Sequence, residues 1–237
     1  MDSIQIVDQM VANGRTALKE YEGYSQQQVD ALIKAMCLAF KEHAEELSRE
    51  VVEETGLGDY ASKVVKNTGS PDGIWYALKD KKSVGVIGED AENNLSFVAS
   101  PKGIMCSVAP TTNPNITVLF NATYALQGRN VLIVAPHPRA KKTTLHTVAI
   151  LNEALAKLSA PANLIQCVEQ PSIECTQLLM KKTDVIIATG GAAMVESAYS
   201  SGRPAFGVGP GNVQTIIDKG FDYTQAAAQI VEGRKLG

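Results

Sequence analysis

The fold is decided by residues 103–142, which read GIMCSVAPTTNPNITVLFNATYALQGRNVLIVAPHPRAKK. The segment begins with a short apolar run typical of a buried strand. It continues with a turn, an apolar stretch of helical length, a second apolar run and a second turn. Parallel neighbouring strands cannot be joined by a tight turn. The segment therefore predicts two parallel strands connected by a crossover helix.

The same alternation continues on the C-terminal side of this segment. Strands are expected at residues 104–109, 131–135, 164–168, 185–188 and 205–208. Helices are expected between them, at residues 116–126, 141–158, 173–181 and 192–200. Strands and helices that alternate in this order predict an α/β domain over residues 103–237, with a doubly wound, mostly parallel sheet and helices on both faces.

Residues 1–82 are expected to form a helical segment that packs on this domain. Apolar residues recur at helical spacing over residues 3–21, which predicts a first helix. Ser25 and Gln28 form a capping-box pattern that opens a second helix. One apolar stripe runs through residues 29–51, so this second helix is expected to be long.

A third helical stretch and a hairpin are expected next. The helical stretch covers residues 60–79 and should be broken by Gly69, Pro71 and Gly73. Residues 83–102 hold two apolar runs separated by an acidic turn, a pattern that predicts a β-hairpin. We interpret this hairpin as a candidate oligomerisation element.

Composition and charge exclude several classes of function. The formal net charge is −3 and basic residues are scattered along the chain, so no nucleic-acid-binding surface is expected. No uncharged apolar run approaches the roughly 18 residues that span a bilayer, and the N-terminus is acidic, unlike a signal peptide. We therefore expect a cytoplasmic protein with neither nucleic acid nor a membrane as a partner.

The four cysteines are Cys37, Cys106, Cys167 and Cys175. They lie far apart among apolar neighbours and form no CxxC pair. This spacing favours buried, reduced thiols over a disulfide or a zinc site, and no metal site is predicted.

The candidate site lies in the turns that follow the strands, because ligands of an open parallel sheet bind outside the carboxyl ends of its strands. The turn of residues 109–115 combines two prolines with two threonines and Asn113. These polar groups and the free N–H groups of the next helix could bind an anion or a carbonyl oxygen. The alternative is an ordinary loop in which Thr or Asn caps the helix.

The second turn carries His137, Arg139, Lys141 and Lys142. These side chains could meet a ribose or a phosphate. Cations at a helix N-terminus oppose the macrodipole, and a bound anion would help to explain them. Solvated surface charge is the alternative. As a catalytic base, His137 lacks a neighbouring nucleophile or carboxylate in the sequence.

Glycines mark two further turns. Gly190 and Gly191 lie between a strand and a helix, where they would let a pyrophosphate approach the backbone and the positive end of the helix. Residues 207–212 follow the last strand and hold three glycines. Glycines also serve simply to make tight turns, so the conjunction of all these turns on one sheet edge is the stronger signal.

Several strings in these turns resemble one family. They are VAPTTNPN, VAPHPRAKKTT and QPSIECTQLLMKKTDVIIATGGAAMVESAYSSGRPAFGVGPGNV. With VVEETGLGDYASKVVKN nearer the N-terminus, they are similar to the NAD-binding domain of the CoA-acylating aldehyde dehydrogenases. The similarity is greatest to the aldehyde dehydrogenase half of the bifunctional aldehyde–alcohol dehydrogenases. The resemblance covers essentially the whole chain and implies a Rossmann-like fold of the aldehyde dehydrogenase type.

The resemblance implies NAD as cofactor and CoA as co-substrate. With the histidine of the second turn, the expected cofactor-binding residues are Val108, Ala109, Pro110, Thr111, Thr112, Asn113, His137, Gly190, Gly191 and Gly209. Asn113, or the neighbouring Thr112, would also help to hold the thioester oxyanion. NADP is an alternative, because no acidic residue follows the strand at 131–135 and Arg139 with the lysines could accept a 2′-phosphate.

The reaction implied by the resemblance converts an aldehyde plus CoA to acyl-CoA through a cysteine thioester. Hydrolytic members of the superfamily carry a water-activating glutamate near the position of Gly207, and its absence here suits an acylating enzyme. The nucleophilic cysteine of the family lies beyond the glycine cluster, and the chain stops at Gly237 before that point. We therefore expect a cofactor-binding part that lacks the catalytic domain and is inactive by itself.

Other functions stay open at this point. One is a stand-alone dinucleotide-binding module without catalysis, and another is a phosphate-sugar enzyme in which His137 would be the acid or base. The expected partners are a small-molecule aldehyde, CoA and further copies of the chain in a homo-oligomer. Acetaldehyde is the default aldehyde, with longer or sulfonated aldehydes open.

Overall fold

The computed structural model describes residues 2–211 and 213–235. The N-terminal helices are α1 (Ser3–Tyr21), α2 (Gln26–Glu42), α3 (Ala44–Thr55) and α4 (Tyr60–Leu78). A hairpin of β1 (Gly85–Asp90) and β2 (Leu95–Ala99) follows. The remaining elements are β3 (Ile104–Val108), α5 (Pro114–Gln127), β4 (Val131–Ala135), α6 (Lys141–Lys157), β5 (Ile165–Cys167), α7 (Ile173–Lys182), β6 (Val185–Thr189), α8 (Ala192–Tyr199), β7 (Ala205–Val208) and α9 (Tyr223–Lys235).

The main sheet has the order β5-β4-β3-β6-β7, and every neighbouring pair is parallel. The chain winds outward from β3 to β5 and then returns to β6 and β7 on the other side. Because right-handed crossovers are the rule, this reversal places α5 and α6 on one face and α7 and α8 on the other. The predicted doubly wound α/β fold is confirmed. The loops after β3 and β6 diverge at the switch point, where such sheets bind ligands.

The N-terminal helices complete the two outer layers. Helix α1 packs on α7, β3 and β4, while α2 packs on α5 and α6, with α3 and α4 beside it. The fully buried Tyr21 donates a hydrogen bond of 2.8 Å to the Leu126 carbonyl and so joins α1 to α5. Ser25 and Gln28 form the predicted capping box of α2.

Two helix predictions were wrong. The apolar stripe of residues 29–51 belongs to two helices, which meet at His43. Helix α4 runs unbroken through Gly69, Pro71 and Gly73. Proline removes one intrahelical hydrogen bond, but Pro71 is itself buried, and α4 packs against α2, α3 and α5. Tertiary packing outweighs the local preference of these residues.

The predicted hairpin is present. Strands β1 and β2 pair antiparallel, with a register irregularity between Val86 and Gly88. The side chains of Val86, Leu95, Phe97 and Val98 are all exposed, at about half of their accessible surface or more. The role of the hairpin in oligomerisation stays a prediction.

All four cysteines carry free thiols. Cys37, Cys106 and Cys175 are buried as predicted, whereas Cys167 is only partly buried. Within the described part of the chain, no helix combines the length and the apolar character needed to cross a bilayer.

Candidate functional site

The loops after β3, β4, β6 and β7 converge on one cavity of about 650 Å³, which we call the strand-end cleft. Its walls are Val108, Ala109, Pro110, Thr111, Thr112, His137, Thr189, Gly190, Gly191, Ala193, Met194, Gly209, Pro210 and Gly211. Every residue predicted to bind the cofactor lines this cleft except Asn113. Asn212, the last residue of the predicted glycine cluster, lies outside the described residues.

The strand-end cleft has no equivalent among the other large cavities of the described residues. A cavity of about 540 Å³ lies between residues 213–221 and α9. Another of about 600 Å³ lies against α1, α6 and β5. A third cavity, of about 570 Å³, lies against α1 alone. None of the three is lined by a glycine that opens a helix after a strand. The strand-end cleft is therefore the candidate site.

Two lysines of α4 donate hydrogen bonds to the loop after β3. The Lys63 ammonium donates hydrogen bonds to the Thr112 carbonyl at 2.8 Å and to Oδ1 of Asn113 at 3.1 Å. Lys66 donates a longer one to the same Oδ1, at 3.4 Å. Asn113 occupies the N-cap position of α5, yet its side chain makes no capping hydrogen bond. The ordinary helix-cap interpretation is thus wrong for Asn113, whose side chain turns toward α4.

Burial changes the pKa of the Lys63 ammonium. The residue is 1% exposed, and burial lowers the pKa of its ammonium to about 8. The charge of Lys66 adds to this lowering, and Asp59 partly offsets it. Sequence reasoning missed Lys63, although two lysines three residues apart in VVEETGLGDYASKVVKN were a visible signal.

We expect one lysine of the chain to titrate near pH 8. The Cε resonance of Lys63, assigned by its loss in a Lys63→Arg variant, should move with pH about two units earlier than the resonances of exposed lysines. Between pH 8 and 10.5 the unfolded chain holds a proton that the native chain has lost, so stability relative to Lys63→Met should rise with pH in this window. If every lysine titrates above pH 10, this interpretation of Lys63 is wrong.

The loop after β4 presents His137 to the strand-end cleft. Nδ1 of His137 accepts a hydrogen bond of 3.1 Å from the backbone N–H of Arg139. Partial burial and the charge of Arg139 lower the pKa of His137, which favours the neutral ring. With Nδ1 as acceptor, the neutral ring carries its proton on Nε2, and that N–H can donate to a ligand hydroxyl.

Other groups of the chain contact this basic loop. The two carboxylate oxygens of Glu54 each accept a hydrogen bond of 2.7 Å at the start of α6, from the N–H groups of Lys142 and Thr143. Arg139 donates to the Thr55 carbonyl at 3.1 Å. A carboxylate from α3 therefore caps this helix end within the chain. A bound anion at the basic side chains stays a prediction.

The loop after β6 brings backbone close to the strand-end cleft. Gly191 is the N-cap residue of α8, with φ −68 and ψ 163. A Cβ added at Gly191 would meet nothing within 4 Å, so the space beside its backbone is open. The first N–H groups of α8 have no intrahelical acceptors and form a positive end at this place.

Gly207 and Gly209 differ in their surroundings. A Cβ at Gly207 would lie 2.6 Å from Val195 and 3.0 Å from the Tyr199 ring, so packing requires glycine there. A Cβ at Gly209 would meet nothing within 4 Å, and Gly209 lines the cleft.

A smaller cavity of about 200 Å³ between α7 and α8 adjoins the strand-end cleft and shares Ala193 and Met194 with it. Ile173 and Met180 add apolar surface. A flat aromatic group could lie here while a charged group meets the start of α8.

Outside the cleft, Glu46, Glu50 and His146 bring three potential metal ligands within 4.8 Å of one another. Nδ1 of His146 and a carboxylate oxygen of Glu50 lie 2.9 Å apart, so a hydrogen bond accounts for part of this arrangement.

The sequence matches the aldehyde dehydrogenase family over residues 3–236. It is 51% identical over 229 residues to succinate-semialdehyde dehydrogenase (acetylating) of Clostridium kluyveri, covering 97% of this chain and 51% of the relative. It is 40% identical over 224 residues to the bifunctional aldehyde-alcohol dehydrogenase of Escherichia coli K12, covering 94% of this chain and 25% of the relative. The chain thus spans about half and about a quarter of the lengths of these relatives.

Solved structures of acylating aldehyde dehydrogenases are also similar to this chain. An acetylating aldehyde dehydrogenase from Geobacillus thermoglucosidasius superposes with a TM-score of 0.93 at 39% identity, covering 99% of this chain and 52% of the other. Propionaldehyde dehydrogenase of Rhodopseudomonas palustris, with bound CoA and an acylated cysteine, has a TM-score of 0.84 at 33% identity, with 97% and 53% covered. An engineered glycolyl-CoA reductase with bound NADP+ has a TM-score of 0.83 at 32% identity, with 96% and 52% covered. The predicted resemblance to the CoA-acylating aldehyde dehydrogenases is confirmed. The identity is higher to the succinate-semialdehyde dehydrogenase, at 51%, than to the bifunctional enzyme, at 40%, so the prediction of greatest similarity to the bifunctional enzymes was wrong.

Proposed function

The chain belongs to the aldehyde dehydrogenase family, and from that premise we propose that it is the NAD(P)-binding part of an enzyme that converts an aldehyde plus CoA to acyl-CoA. One observation carries the proposal. The loops after four parallel strands meet at one cleft, and three of its glycines, Gly191, Gly209 and Gly211, leave open space beside the backbone. This is the arrangement that a dinucleotide needs at the switch point of a doubly wound sheet.

The residues of the strand-end cleft fit a dinucleotide. Gly191 gives a pyrophosphate access to the positive end of α8. The apolar cavity between α7 and α8 suits an adenine ring, and Nε2 of His137 can donate to a ribose oxygen. When bound, the nicotinamide group supplies hydride acceptance. The chain's own residues bind and orient it.

CoA is proposed as the co-substrate. CoA and NAD both contain an adenosine diphosphate group, so the same groove and the same helix end suit both. The relative from Rhodopseudomonas palustris contains bound CoA. We propose that CoA competes with NAD for the strand-end cleft of this chain. The exposed apolar hairpin supports the further proposal of a homo-oligomer.

Chemistry at a cysteine of this chain is not expected. Burial raises the pKa of Cys37, Cys106 and Cys167 each to about 12, and it raises that of Cys175 as well. The thiolate is the nucleophile, and these groups are thiols at neutral pH. The purified chain should therefore show no NADH formation with acetaldehyde, CoA and NAD. Turnover that disappears only in a Cys106→Ala variant would make Cys106 the nucleophile and contradict this prediction.

The proposal is tested by mapping the ligand onto the chain. Addition of NAD to the 15N-labelled chain should shift the backbone amides of Thr111, Thr112, Gly190, Gly191 and Gly209. Excess CoA should displace NAD and replace these shifts by those of the CoA complex. Amide shifts confined to the cavity against α9, or none at all in a folded chain, would contradict it.

A further inference from the structure

Burial of the Lys63 ammonium is energetically unfavourable. The side chain is fully buried, and taking an ammonium out of water costs several kcal/mol unless hydrogen bonds compensate it. The hydrogen bonds described above do not go to neighbouring turns of α4. They go to the Thr112 carbonyl and the Asn113 side chain, some fifty residues further along the sequence.

The hydrogen bonds also determine how Asn113 is oriented. An ammonium group can only donate, so the amide oxygen must face Lys63 and Lys66, and Nδ2 must point away from them. An asparagine at an N-cap normally accepts hydrogen bonds from the first turn of its helix. Asn113 gives up that interaction, and the backbone at this position has φ −142 and ψ 62.

The place of this contact matters, because Thr111 and Thr112 line the strand-end cleft and Asn113 follows them directly. Lys63 contacts the loop that forms this wall of the cleft, from α4. It does not itself line the cleft.

We infer that Lys63 is a positioning residue: its ammonium fixes the backbone at Thr112 and turns the Asn113 amide so that Nδ2 is free to donate beside the strand-end cleft. The effect on ligand binding rests on the proposed function, whereas the orientation of the Asn113 amide does not.

The test compares Lys63→Met, which keeps the unbranched shape of the side chain without the terminal ammonium, with Asn67→Leu on the same helix. Asn67 is buried and donates a hydrogen bond of 2.8 Å to Ser48, so its loss also removes a buried polar contact of α4 but leaves the loop alone. The Asn113 side-chain NH2 signals, assigned with Asn113→Ser, are followed by 15N NMR near pH 6.5.

In Lys63→Met we expect the two Asn113 side-chain protons to shift toward the values of a free asparagine and to exchange about tenfold faster, with no such change in Asn67→Leu. NAD affinity should fall by about tenfold in Lys63→Met, and the fall should largely vanish in the Asn113→Ser background, since coupled residues are not additive. Unchanged Asn113 signals in a folded Lys63→Met chain would overturn the inference.

A measurement on the unaltered chain covers the case in which Lys63→Met does not fold. At pH 6.5 the hydrogen-bonded ammonium of Lys63 should give a slowly exchanging 1H–15Nζ signal, unlike exposed lysines, and the absence of this signal would equally overturn the inference. If the unaltered chain binds neither NAD nor CoA, the proposed function fails, and the NMR signals still decide the role of Lys63.

Discussion

Replacing Gly191 by valine should weaken NAD binding by a factor on the order of 100 or more, while the chain stays folded. A Cβ at Gly191 meets no atom of the chain within 4 Å, so the valine side chain would project into space that a pyrophosphate needs. The backbone at Gly191, with φ −68 and ψ 163, lies in the extended region that valine prefers. The cost to stability should be about 1 kcal/mol, the usual loss for a poorer N-cap residue.

Gly69→Val is the matched control. Gly69 is exposed on α4, and a Cβ there also meets nothing within 4 Å. The same substitution is therefore made away from the strand-end cleft, and NAD affinity should be unchanged. Calorimetric titration of both variants makes the comparison. Equal affinities for Gly191→Val and the unaltered chain would show that the ligand does not approach the start of α8.

Replacing Gly103 by alanine should destabilise the chain by about 3 kcal/mol or more, a large part of the 5 to 15 kcal/mol typical of a folded protein. Gly103 has φ +121, a conformation that other residues rarely adopt, and an added Cβ would lie 2.8 Å from Cγ of Asp184 and nearer still to Oδ2. The Asp184 carboxylate cannot easily move. It pairs with Arg15 through bonds of 2.5 and 2.7 Å and accepts a further bond of 2.7 Å from the Ile104 N–H.

The Asp184 carboxylate links Arg15 of α1 to the first residue of β3, the central strand. Displacement of this carboxylate therefore disturbs the start of that strand. Burial opposes ionisation of Asp184, but the hydrogen bonds from Arg15 and Ile104 outweigh burial and lower its pKa. A Gly56→Ala variant measures the cost of a positive φ without the clash against Asp184. Gly56 has φ +68, but a Cβ there meets nothing within 4 Å, so only the backbone strain of about 1 kcal/mol is expected.

Thermal unfolding of both variants measures the difference. Gly103→Ala should lower Tm by roughly 6 to 12 °C, several times the shift of Gly56→Ala, since 1 kcal/mol corresponds to about 2 to 4 °C at this size. Similar shifts for the two variants would show that Asp184 relaxes freely and does not anchor β3.

The sheet could be predicted from the sequence because its strands are short apolar runs separated by Pro, Gly and Asn. Strand β4, for example, is buried throughout, and Val131–Ala135 contains no polar residue. The alternation with helices also predicts the parallel direction of the strands, since a parallel sheet needs crossovers. The strand order β5-β4-β3-β6-β7 is known only from the structure. The strand-end rule then placed Thr112, His137 and Gly191 at one edge, and the structure brings all three to the strand-end cleft.

Other features depend on contacts between distant residues, which local patterns do not record. Pro71 in isolation indicates a break, and only its burial against neighbouring helices keeps α4 continuous. Glu54 caps α6 across 88 positions of sequence, so the basic turn after β4 was interpreted without the carboxylate that neutralises it. The two lysines three residues apart are visible in the sequence, but their contact with the loop after β3 is not, because Lys63 and Thr112 lie 49 positions apart.

The assignment of cofactor-binding residues stays a prediction until a ligand is observed in the strand-end cleft. The most direct measurement is a titration of the purified chain with NADH, followed by nicotinamide fluorescence and calorimetry, with circular dichroism to show that the chain is folded. We predict saturable binding at one site per chain, weakened in Gly191→Val and reversed by excess CoA. No detectable binding to the folded chain at millimolar NADH or NADPH would contradict the account.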